Sequence, residues 1–407
     1  MKFWKDPNNI LCICAVLAIS LVCQSSSVSN PGMAYMMEDF ANIPPATITM
    51  VGTLPSIAMI VSSLLFPVLR RYLSIRTIVI GASVLLVIFG LAPIWTPDFT
   101  MILVERFLFG IGMGFMWPAV QSSIVEFYEG TKRNTLLGFN SVLTAGGGII
   151  WANTAGPLAL NGWRASYYAY FIALAILVFV CVFLPASKPL GKKTEASEEE
   201  AKAATPPSVS NWKLWAVLIV AAAFVFNFCS MTFFTNISMK IVNDGLGTSV
   251  EAGFGITSFT IGSVLIGLVF GAVMKAKFMS KFGCPLGWIL CGIGMFIAAT
   301  ATSFAVLVAG GIIAGIGCGT FVPAQIGIYG RVAGSDKAPL LIGVGNALSG
   351  FAQWMGPTLF TSIATAQGLD AGGPCIKLAA ILMIGSGIVA LILFVIAHAT
   401  NKVKTEE

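Results

Sequence analysis

Charged side chains are scarce in this sequence. Only 10% of its 407 residues are Asp, Glu, Lys or Arg, whereas soluble domains carry about 25%. So few charges cannot cover a surface that faces water, which excludes an ordinary soluble protein. The chain is therefore predicted to be a membrane protein that crosses the bilayer several times.

Metal-binding and catalytic patterns are also missing. The sequence has one histidine, His398, and nine cysteines that mostly lie inside apolar segments. Such cysteines are typical of reduced core residues, so no metal site and no cofactor is predicted. An intramembrane enzyme would need paired aspartates, a Ser–His pair or a histidine cluster, and an ATP-driven pump would need a phosphate-binding loop. None of these patterns is present, which argues against both classes.

Long apolar runs dominate the chain instead. Hydrophobic residues make up 57% of it, and its mean hydropathy is +0.89. Runs of roughly 20 apolar residues can cross ~30 Å of hydrocarbon as helices, and the alternation expected of barrel strands is absent. The first run is interpreted as a retained span and not as a signal peptide. Twelve spans are predicted, near 10–36, 46–68, 77–95, 98–124, 134–158, 165–185, 212–238, 253–275, 285–303, 304–330, 339–366 and 375–397.

Basic residues are distributed unequally between the two sides of the predicted spans. With the N-terminus inside, 19 of the 23 Lys and Arg residues are cytoplasmic. Arg164, Lys240 and Lys377 fall outside, and Arg106 falls within a span. This asymmetry predicts a protein of the cytoplasmic (inner) membrane with both termini in the cytoplasm. The net charge of +6 is thus a topology signal, and no nucleic-acid partner is predicted.

One polar segment divides the spans six and six. Residues 186–211, ASKPLGKKTEASEEEAKAATPPSVSN, are charged and flanked by prolines, which is typical of a flexible linker. The predicted organisation is a six-helix bundle over 1–185, this cytoplasmic linker, a second six-helix bundle over 212–398 and a cytoplasmic tail over 399–407.

The two halves share a glycine and proline pattern. ERFLFGIGMGFMWPA (105–119) lies in predicted span 4, and GGIIAGIGCGTFVPA (310–324) lies in span 10, the fourth span of each half. Two copies of one ancestral six-helix unit explain this spacing. The matched positions are Gly110, Gly112, Gly114 and Pro118 with Gly315, Gly317, Gly319 and Pro323 at an offset of 205, and Gly156-Pro157 with Gly356-Pro357 at an offset of 200.

With these features the sequence resembles the major facilitator superfamily over essentially its whole length. The resemblance rests on the six-plus-six layout, on Arg106 followed by the glycine pattern and Pro118, on the loop EFYEGTKR, and on AGPLALNGWR at the end of span 5. It implies an all-α membrane fold of two pseudo-symmetric bundles that rock about a central cavity lined mainly by spans 1, 4, 7 and 10. The matched glycines and prolines would then serve gating, by close approach and bending, or packing alone.

The loop between spans 2 and 3 departs from the family pattern. That loop usually carries glycines and an aspartate among basic residues, as a cytoplasmic lock. Here, in FPVLRRYLSIR, Pro67 and Ser74 stand for the glycines and Arg71 stands for the aspartate. The acid of a lock would have to come from elsewhere, and the candidates are Glu126, Glu129 and Asp336.

A charged pair, Glu105 and Arg106, lies about 12 Å below the outer end of span 4. An intramembrane charge is costly and is a functional candidate by default. Adjacent helical residues point about 100° apart, so the two are expected to face different surroundings. Three alternatives are open for Arg106: it fastens span 4 to a neighbour, it faces the cavity and attracts an anion, or it snorkels to the outer surface. Glu105 is the candidate for proton coupling.

Uncharged polar and aromatic side chains complete the candidate substrate site. Amides donate and accept hydrogen bonds and suit carboxylates, hydroxyls or amides, although each could instead join two helices. Tryptophans could form apolar walls or serve packing. With Arg106, the substrate-binding candidates are Gln24, Ser27, Trp117, Gln121, Trp151, Asn227, Gln325, Tyr329, Gln353 and Trp354.

The sequence thus predicts a secondary transporter for a small organic solute. Few acids lie within the spans, so a buried cation would lack a counter-charge, and an organic anion such as a carboxylate is preferred. Coupling would be exchange or proton symport. The alternatives are an exporter of apolar or amphipathic compounds, which the Gly-Pro of span 5 favours although Ala159-Leu160 replaces the expected glycines, and a non-transporting receptor. A monomer in the lipid bilayer, binding a small molecule, is expected.

Overall fold

The structure, a computed structural model, describes residues 9–128, 130–185, 212–273 and 277–399. Within these ranges the description leaves out the side chains of residues 130, 131, 133, 134, 137, 138, 141, 212–214, 271, 272, 277, 280, 281, 326, 327, 329–343 and 397–399. Every regular element in these ranges is a helix, and none of the described residues forms a strand. The predicted all-α class is therefore confirmed. The predicted linker at 186–211 and the tail from residue 400 lie outside the described residues.

Thirteen α-helices make up the described chain. Nine helical segments in these ranges are long and apolar enough to cross a membrane, so a membrane protein is confirmed, whereas the count of twelve spans stays a prediction. The helices are α1 Ile10–Val22, α2 Met33–Asp39, α3 Pro45–Tyr72, α4 Ile75–Leu91, α5 Phe99–Phe127, α6 Gly130–Ala159, α7 Trp163–Ser166, α8 Phe171–Phe183, α9 Trp212–Asn243, α10 Ser249–Val273, α11 Lys277–Thr300, α12 Phe304–Ala366 and α13 Gly373–Ala399.

The chain forms two compact units. Unit 1 comprises Met1–Lys193 and Gly247–Thr257, and unit 2 comprises Thr194–Leu246 and Ser258–Glu407. Within unit 1, α5 packs mainly on α3 and α4; within unit 2, α12 packs mainly on α9 and α11. Each unit therefore has its own helical core.

The first predicted span is interrupted. The sequence predicts one helix over 10–36, but α1 ends at Val22, a 3-10 turn covers Ser25–Ser29, and α2 begins at Met33. The stretch between them, SSSVSNPG, explains the correction. Its serine hydroxyls compete for backbone carbonyls, as when Ser29 Oγ donates to Ser26 O over 3.0 Å, and its proline lacks an N–H. These local effects end a helix that hydropathy alone would continue.

The predicted loop between spans 10 and 11 is absent. Helical backbone continues from Phe304 to Ala366, whereas the sequence predicts separate spans over 304–330 and 339–366. The eight residues between them, RVAGSDKA, contain one glycine and no proline. Ala, Arg and Lys are good helix formers, so nothing in this stretch forces the backbone out of helical geometry.

The glycine pattern of α5 allows close contact with two neighbouring helices of unit 1. A Cβ atom at Gly110 would lie 2.5 Å from Pro55 Cα in α3, and one at Gly114 would lie 2.6 Å from the α3 backbone. Gly112 lies on another face, where a Cβ would be 2.7 Å from the Ala82 carbonyl oxygen in α4. Any larger residue at these positions would push the helices apart.

The second copy of the pattern does the same in unit 2. A Cβ at Gly315 would overlap the Phe259 carbonyl oxygen in α10, and one at Gly319 would lie 2.7 Å from another α10 carbonyl oxygen. A Cβ at Gly317 would overlap the α11 backbone at Cys291. Each copy thus packs its first and third glycines on one helix and its middle glycine on another. Their gating role stays a prediction.

The Gly-Pro pairs of the predicted spans 5 and 11 are also close-contact positions. A Cβ at Gly356 would overlap the Phe228 carbonyl oxygen in α9, and one at Gly156 would lie 2.7 Å from the carbonyl oxygen of Ser249, which belongs to unit 1. In both pairs the glycine permits the backbones to touch, and the proline that follows has no N–H to donate.

An ion pair joins the ends of α3 and α5. Arg70 Nη2 donates to Glu126 Oε2 over 2.6 Å, and Nη1 donates to the Leu73 carbonyl oxygen over 3.1 Å. Arg70 is buried, whereas Glu126 is partly exposed. Of the three acids that the sequence offers for a lock, Glu126 is therefore paired with a basic residue of the predicted loop between spans 2 and 3. Glu129 and the Asp336 side chain lie outside the described part of the chain.

We expect Glu126→Gln to destabilise unit 1, because it leaves the buried Arg70 guanidinium with a neutral partner. The loss should be about 1–3 kcal/mol, measured by denaturant titration of the purified protein in mixed micelles. Glu38→Gln, at an exposed position, is the matched control and should change stability by less than about 0.5 kcal/mol. Equal effects of both substitutions would contradict the prediction.

Candidate functional site

Arg106 lies at the centre of a hydrogen-bond network in unit 1 and has no exposed surface. Its Nε donates to the Val51 carbonyl oxygen in α3 over 3.1 Å, and its Nη1 donates to the Tyr170 hydroxyl over 3.1 Å. The Tyr170 hydroxyl in turn donates to the Ser25 carbonyl oxygen over 2.9 Å. The guanidinium thus joins α5, α3 and the segment before α8, which fits the fastening alternative. Substrate contact by Arg106 stays a prediction.

Aromatic rings surround this buried charge. The Arg106 guanidinium carbon lies 4.2 Å from the centre of the Phe109 ring and 5.8 Å from that of Tyr167. A desolvated cation–π contact contributes about 2 kcal/mol. Nη2 has no hydrogen-bond partner among the described residues. The charge is therefore held by rings and neutral oxygens, and one nitrogen of the guanidinium is still available to donate.

Glu105 has different neighbours, as its position next to Arg106 in a helix requires. Its Oε1 accepts a hydrogen bond from the Thr96 hydroxyl over 2.5 Å, while Oε2 has no partner in the described part of the chain. Arg164 donates to the Thr96 carbonyl oxygen over 3.1 Å and lies 3.9 Å from Asp39 Oδ2. A chain of polar groups therefore runs from the buried Glu105 towards a partly exposed ion pair.

Three aromatic side chains donate to the carbonyls released where the first span is interrupted. Trp151 Nε1 donates to the Leu21 carbonyl oxygen over 2.6 Å, and Trp117 Nε1 donates to that of Cys23 over 3.2 Å. The Tyr170 hydroxyl donates to the Ser25 carbonyl oxygen in the same way. Helix-end carbonyls away from water need such partners. Both tryptophans, proposed from sequence as walls of a substrate site, thus hold the interrupted span in place.

We expect Trp151→Phe to destabilise the protein by about 1–3 kcal/mol, because the ring is largely kept while the Leu21 carbonyl loses its donor. The measurement is the unfolding free energy in mixed micelles. Trp95→Phe is the matched control, since Trp95 is 70% exposed and should tolerate the change. A Trp151→Phe protein as stable as the control would show that this hydrogen bond contributes nothing.

Unit 2 contains a network of uncharged polar groups. Gln353 Nε2 donates to Asn227 Oδ1 over 2.9 Å, and Asn227 Nδ2 lies 3.2 Å from Ser349 Oγ and 2.9 Å from the Ala223 carbonyl oxygen. These bonds join α9 to α12. Two of the predicted amides are therefore brought together, at half-buried positions. The arrangement can pair helices, exchange its bonds for those of a solute, or do both.

The remaining predicted residues are dispersed. Gln24 and Ser27 are half-buried in the interrupted first span, and Gln121 is exposed. Gln325 is buried and lines an apolar cavity of unit 2. Trp354 is half-buried and its Nε1 has no partner among the described residues. The side chain of Tyr329 lies outside the described residues.

Sequence reasoning missed Tyr170 and Thr96. Tyr170 accepts a hydrogen bond from Arg106 and lies 64 residues further along the chain. Thr96 donates a hydrogen bond to Glu105 and lies in the loop before α5. The only available signal was the cluster YYAY at 167–170, directly after the Gly-Trp-Arg segment. For metals, the described residues contain no group of three His, Cys, Asp or Glu side chains placed to hold an ion.

Helices long and apolar enough to cross a membrane, together with a polar network within each unit, describe a multi-pass membrane protein. The chain belongs to the Major Facilitator Superfamily, whose family model matches residues 15–256. Membership in this superfamily places it among transporters and not among enzymes. No curated protein matches the sequence.

Solved structures share the fold. A peptide transporter POT in complex with sulfate aligns with a TM-score of 0.73 and 11% identity over 95% of this chain and 94% of that chain. A bacterial homologue of the human lysosomal transporter Spinster, in an inward-facing and occupied conformation, aligns with a TM-score of 0.70 and 14% identity. The alignment covers 96% of this chain and 95% of that chain. A POT family transporter in complex with 5-aminolevulinic acid aligns with a TM-score of 0.67 and 12% sequence identity over 96% of each chain.

Proposed function

We propose that this protein is a secondary transporter that moves a small organic anion, such as a carboxylate, across the cytoplasmic membrane by alternating access. Both termini would lie in the cytoplasm, and the chain would be organised as two bundles, over 1–185 and 212–398. The solute would be exchanged or carried together with protons.

One observation carries the preference for an anion. Glu105 is the only carboxylate among the buried side chains of the described residues, whereas Arg106 is fully buried with a free Nη2. A desolvated cation requires a counter-charge, and the single buried carboxylate of these residues stands next to a fully buried arginine, whose charge opposes the binding of a cationic solute. Uncharged amides such as Asn227 and Gln353 can donate to a carboxylate. A neutral or anionic solute therefore fits the protein's own charges best.

The solved structures supply a related observation. One POT transporter binds sulfate and another binds 5-aminolevulinic acid, so the same fold accommodates anionic groups in other proteins. This supports the chemical class and does not identify the solute.

Counterflow in proteoliposomes tests the proposal. Labelled mono- and dicarboxylates, their neutral amides and organic amines would be compared as solutes under the same conditions. We expect accumulation of one or more carboxylates and competition by other carboxylates only. Transport of an amine without transport of any carboxylate would overturn the proposed class.

A charge substitution makes the test specific to unit 2. Gln353→Glu would place a carboxylate in the Asn227 network, and repulsion should lower the affinity for an anionic solute at least about tenfold. Gln367→Glu, at an exposed position, is the matched control and should behave like the parent protein. An unchanged affinity in Gln353→Glu, with unchanged stability, would exclude this network from the anion site.

Proton coupling would use Glu105. Its unpartnered Oε2 and the polar chain to Arg164 support this assignment. We expect Glu105→Gln to abolish uptake driven by a pH gradient while solute exchange continues. Uptake that still follows the pH gradient would remove Glu105 from the coupling step.

A second candidate is the export of apolar compounds. Unit 2 contains a cavity of about 200 Å³ whose lining is almost entirely apolar, including Trp215, Trp288 and Phe394. An exporter would raise the tolerance of an overexpressing strain to apolar toxins. Unchanged tolerance across such a panel would leave the anion transporter as the single proposal.

A further inference from the structure

A cavity at one end of unit 2 combines basic and apolar side chains. It is open on one side, has a volume of about 500 Å³ and lies between the C-terminal ends of α9 and α11 and the N-terminal end of α13. Its charged lining residues are Lys240, Asp244 and Lys377, and its large apolar ones are Leu369, Leu378 and Ile381.

The two lysines are exceptions to the charge pattern of the whole sequence. Only three Lys or Arg residues fall on the predicted outer side, against 19 on the cytoplasmic side. Arg164 is accounted for by its contacts with Asp39 and Thr96. The other two, Lys240 and Lys377, line one cavity. Positive charge on the outer side opposes the usual topology signal, so a cavity lined by two such residues is a candidate site for an anionic group.

Lys240 is held in place by the fold. It is only 5% exposed, and its ammonium group donates to Asp244 and, over 3.0 Å, to the Ala301 carbonyl oxygen. A Cβ at Gly373 would lie 3.0 Å from Lys240 Cδ, so the glycine at the start of α13 makes room for the lysine stem. The cavity therefore has a fixed cationic wall.

Lys377 provides the second, exposed cation. Its ammonium lies 6.0 Å from the centre of the Phe296 ring, and it forms no ion pair with a described residue. With Asp244 counted, the lining carries a net charge of +1, which is complementary to a phosphate diester. The N-terminus of α13 adds partial positive charge on the same side.

The apolar residues decide the class of ligand. Ile381 is 52% exposed and follows Lys377 by one helical turn along α13, so the cationic end is continuous with an exposed apolar surface of a helix that is long and apolar enough to cross a membrane. An amphipathic molecule with an anionic head matches both parts. We propose that this cavity binds the headgroup of an anionic phospholipid, with its phosphate between Lys240 and Lys377 and one acyl chain along Leu378 and Ile381.

Thermal unfolding of the purified, delipidated full chain tests this site. Dioleoyl phosphatidylglycerol in mixed micelles is expected to raise the unfolding midpoint in a saturable way. Inorganic phosphate and dioleoylglycerol are the comparison arms, because they carry the phosphate and the acyl chains separately. An equal shift with phosphate alone would identify a free anion as the ligand, and an equal shift with dioleoylglycerol would show apolar binding only; either would overturn the lipid proposal.

Substitution of the exposed lysine locates the effect. Lys377→Gln is expected to weaken the apparent affinity for phosphatidylglycerol about fivefold, with the lipid-free midpoint unchanged. Lys132→Gln, also exposed but in unit 1, is the matched control and should leave the affinity unchanged. An unaltered affinity in Lys377→Gln, or an equal loss in both variants, would overturn the proposal.

Discussion

Replacement of Arg106 by alanine is expected to lower the stability of unit 1 by about 3–5 kcal/mol. The substitution removes two hydrogen bonds from a charged donor, to Val51 and to Tyr170. It also removes the cation–π contact with Phe109 and leaves a cavity where no solvent reaches. The measurement is the unfolding free energy of the purified protein in mixed micelles.

Two further variants separate this anchoring from a general loss of charge. Arg71→Ala removes an exposed arginine and should cost less than about 0.5 kcal/mol. Arg106→Lys keeps the charge but cannot make both bonds in the same geometry, so it should recover only part of the loss. If Arg106→Lys restored the full unfolding free energy, the positive charge alone would matter at this position, and not the two separate N–H donors of the guanidinium.

Tyr170 provides a test of coupling. Tyr170→Phe removes the hydroxyl that accepts from Arg106 and donates to Ser25, while Tyr168→Phe alters an exposed neighbour. In a double-mutant cycle, Arg106→Ala and Tyr170→Phe should be non-additive, because each breaks the same network. Strict additivity would mean that the two side chains act independently.

Gly315→Ala is expected to have the second large effect. A methyl group at this position would overlap the Phe259 carbonyl oxygen, which is backbone and cannot rotate away. Overpacking of this kind costs about 1–3 kcal/mol and sometimes more, and we expect reduced yield of folded protein together with a lowered unfolding midpoint.

Gly385→Ala is the matched control in the same unit. No atom lies within 4 Å of a Cβ built at Gly385, so only helix propensity changes, and alanine should stabilise by up to about 1 kcal/mol. Opposite signs for the two substitutions would confirm that packing, and not glycine flexibility, decides the residue at position 315. Equal effects would contradict the packing interpretation.

The two copies of the repeat also explain why only one carries an arginine. Gly311 stands at the position that corresponds to Arg106, and a Cβ there would overlap Ser258 Oγ and lie 3.5 Å from the Phe233 ring. Unit 2 therefore has no space for a long side chain at this place. In unit 1 the Arg106 side chain packs against the Phe109 ring, and the Val51 carbonyl oxygen and the Tyr170 hydroxyl accept its hydrogen bonds.

Local and periodic properties were determined by the sequence itself. Hydropathy over roughly 20-residue windows fixes the helical class, because an isolated backbone in hydrocarbon must satisfy its own hydrogen bonds. The spacing of the glycines fixes which helix faces approach closely, since i and i+4 share a face and i+2 does not. Gly110, Gly112 and Gly114 could therefore be assigned as close-contact positions before any neighbour was known.

Contacts between distant residues were decided only by the tertiary structure. Arg106 binds groups 55 and 64 residues away, and nothing in the sequence around it distinguishes an anchor from a ligand. The interruption of the first span was signalled locally, but the donors that stabilise it, Trp117, Trp151 and Tyr170, come from other helices. A buried polar group must find its partner in three dimensions, so its role follows from the packing of whole helices and not from its own segment.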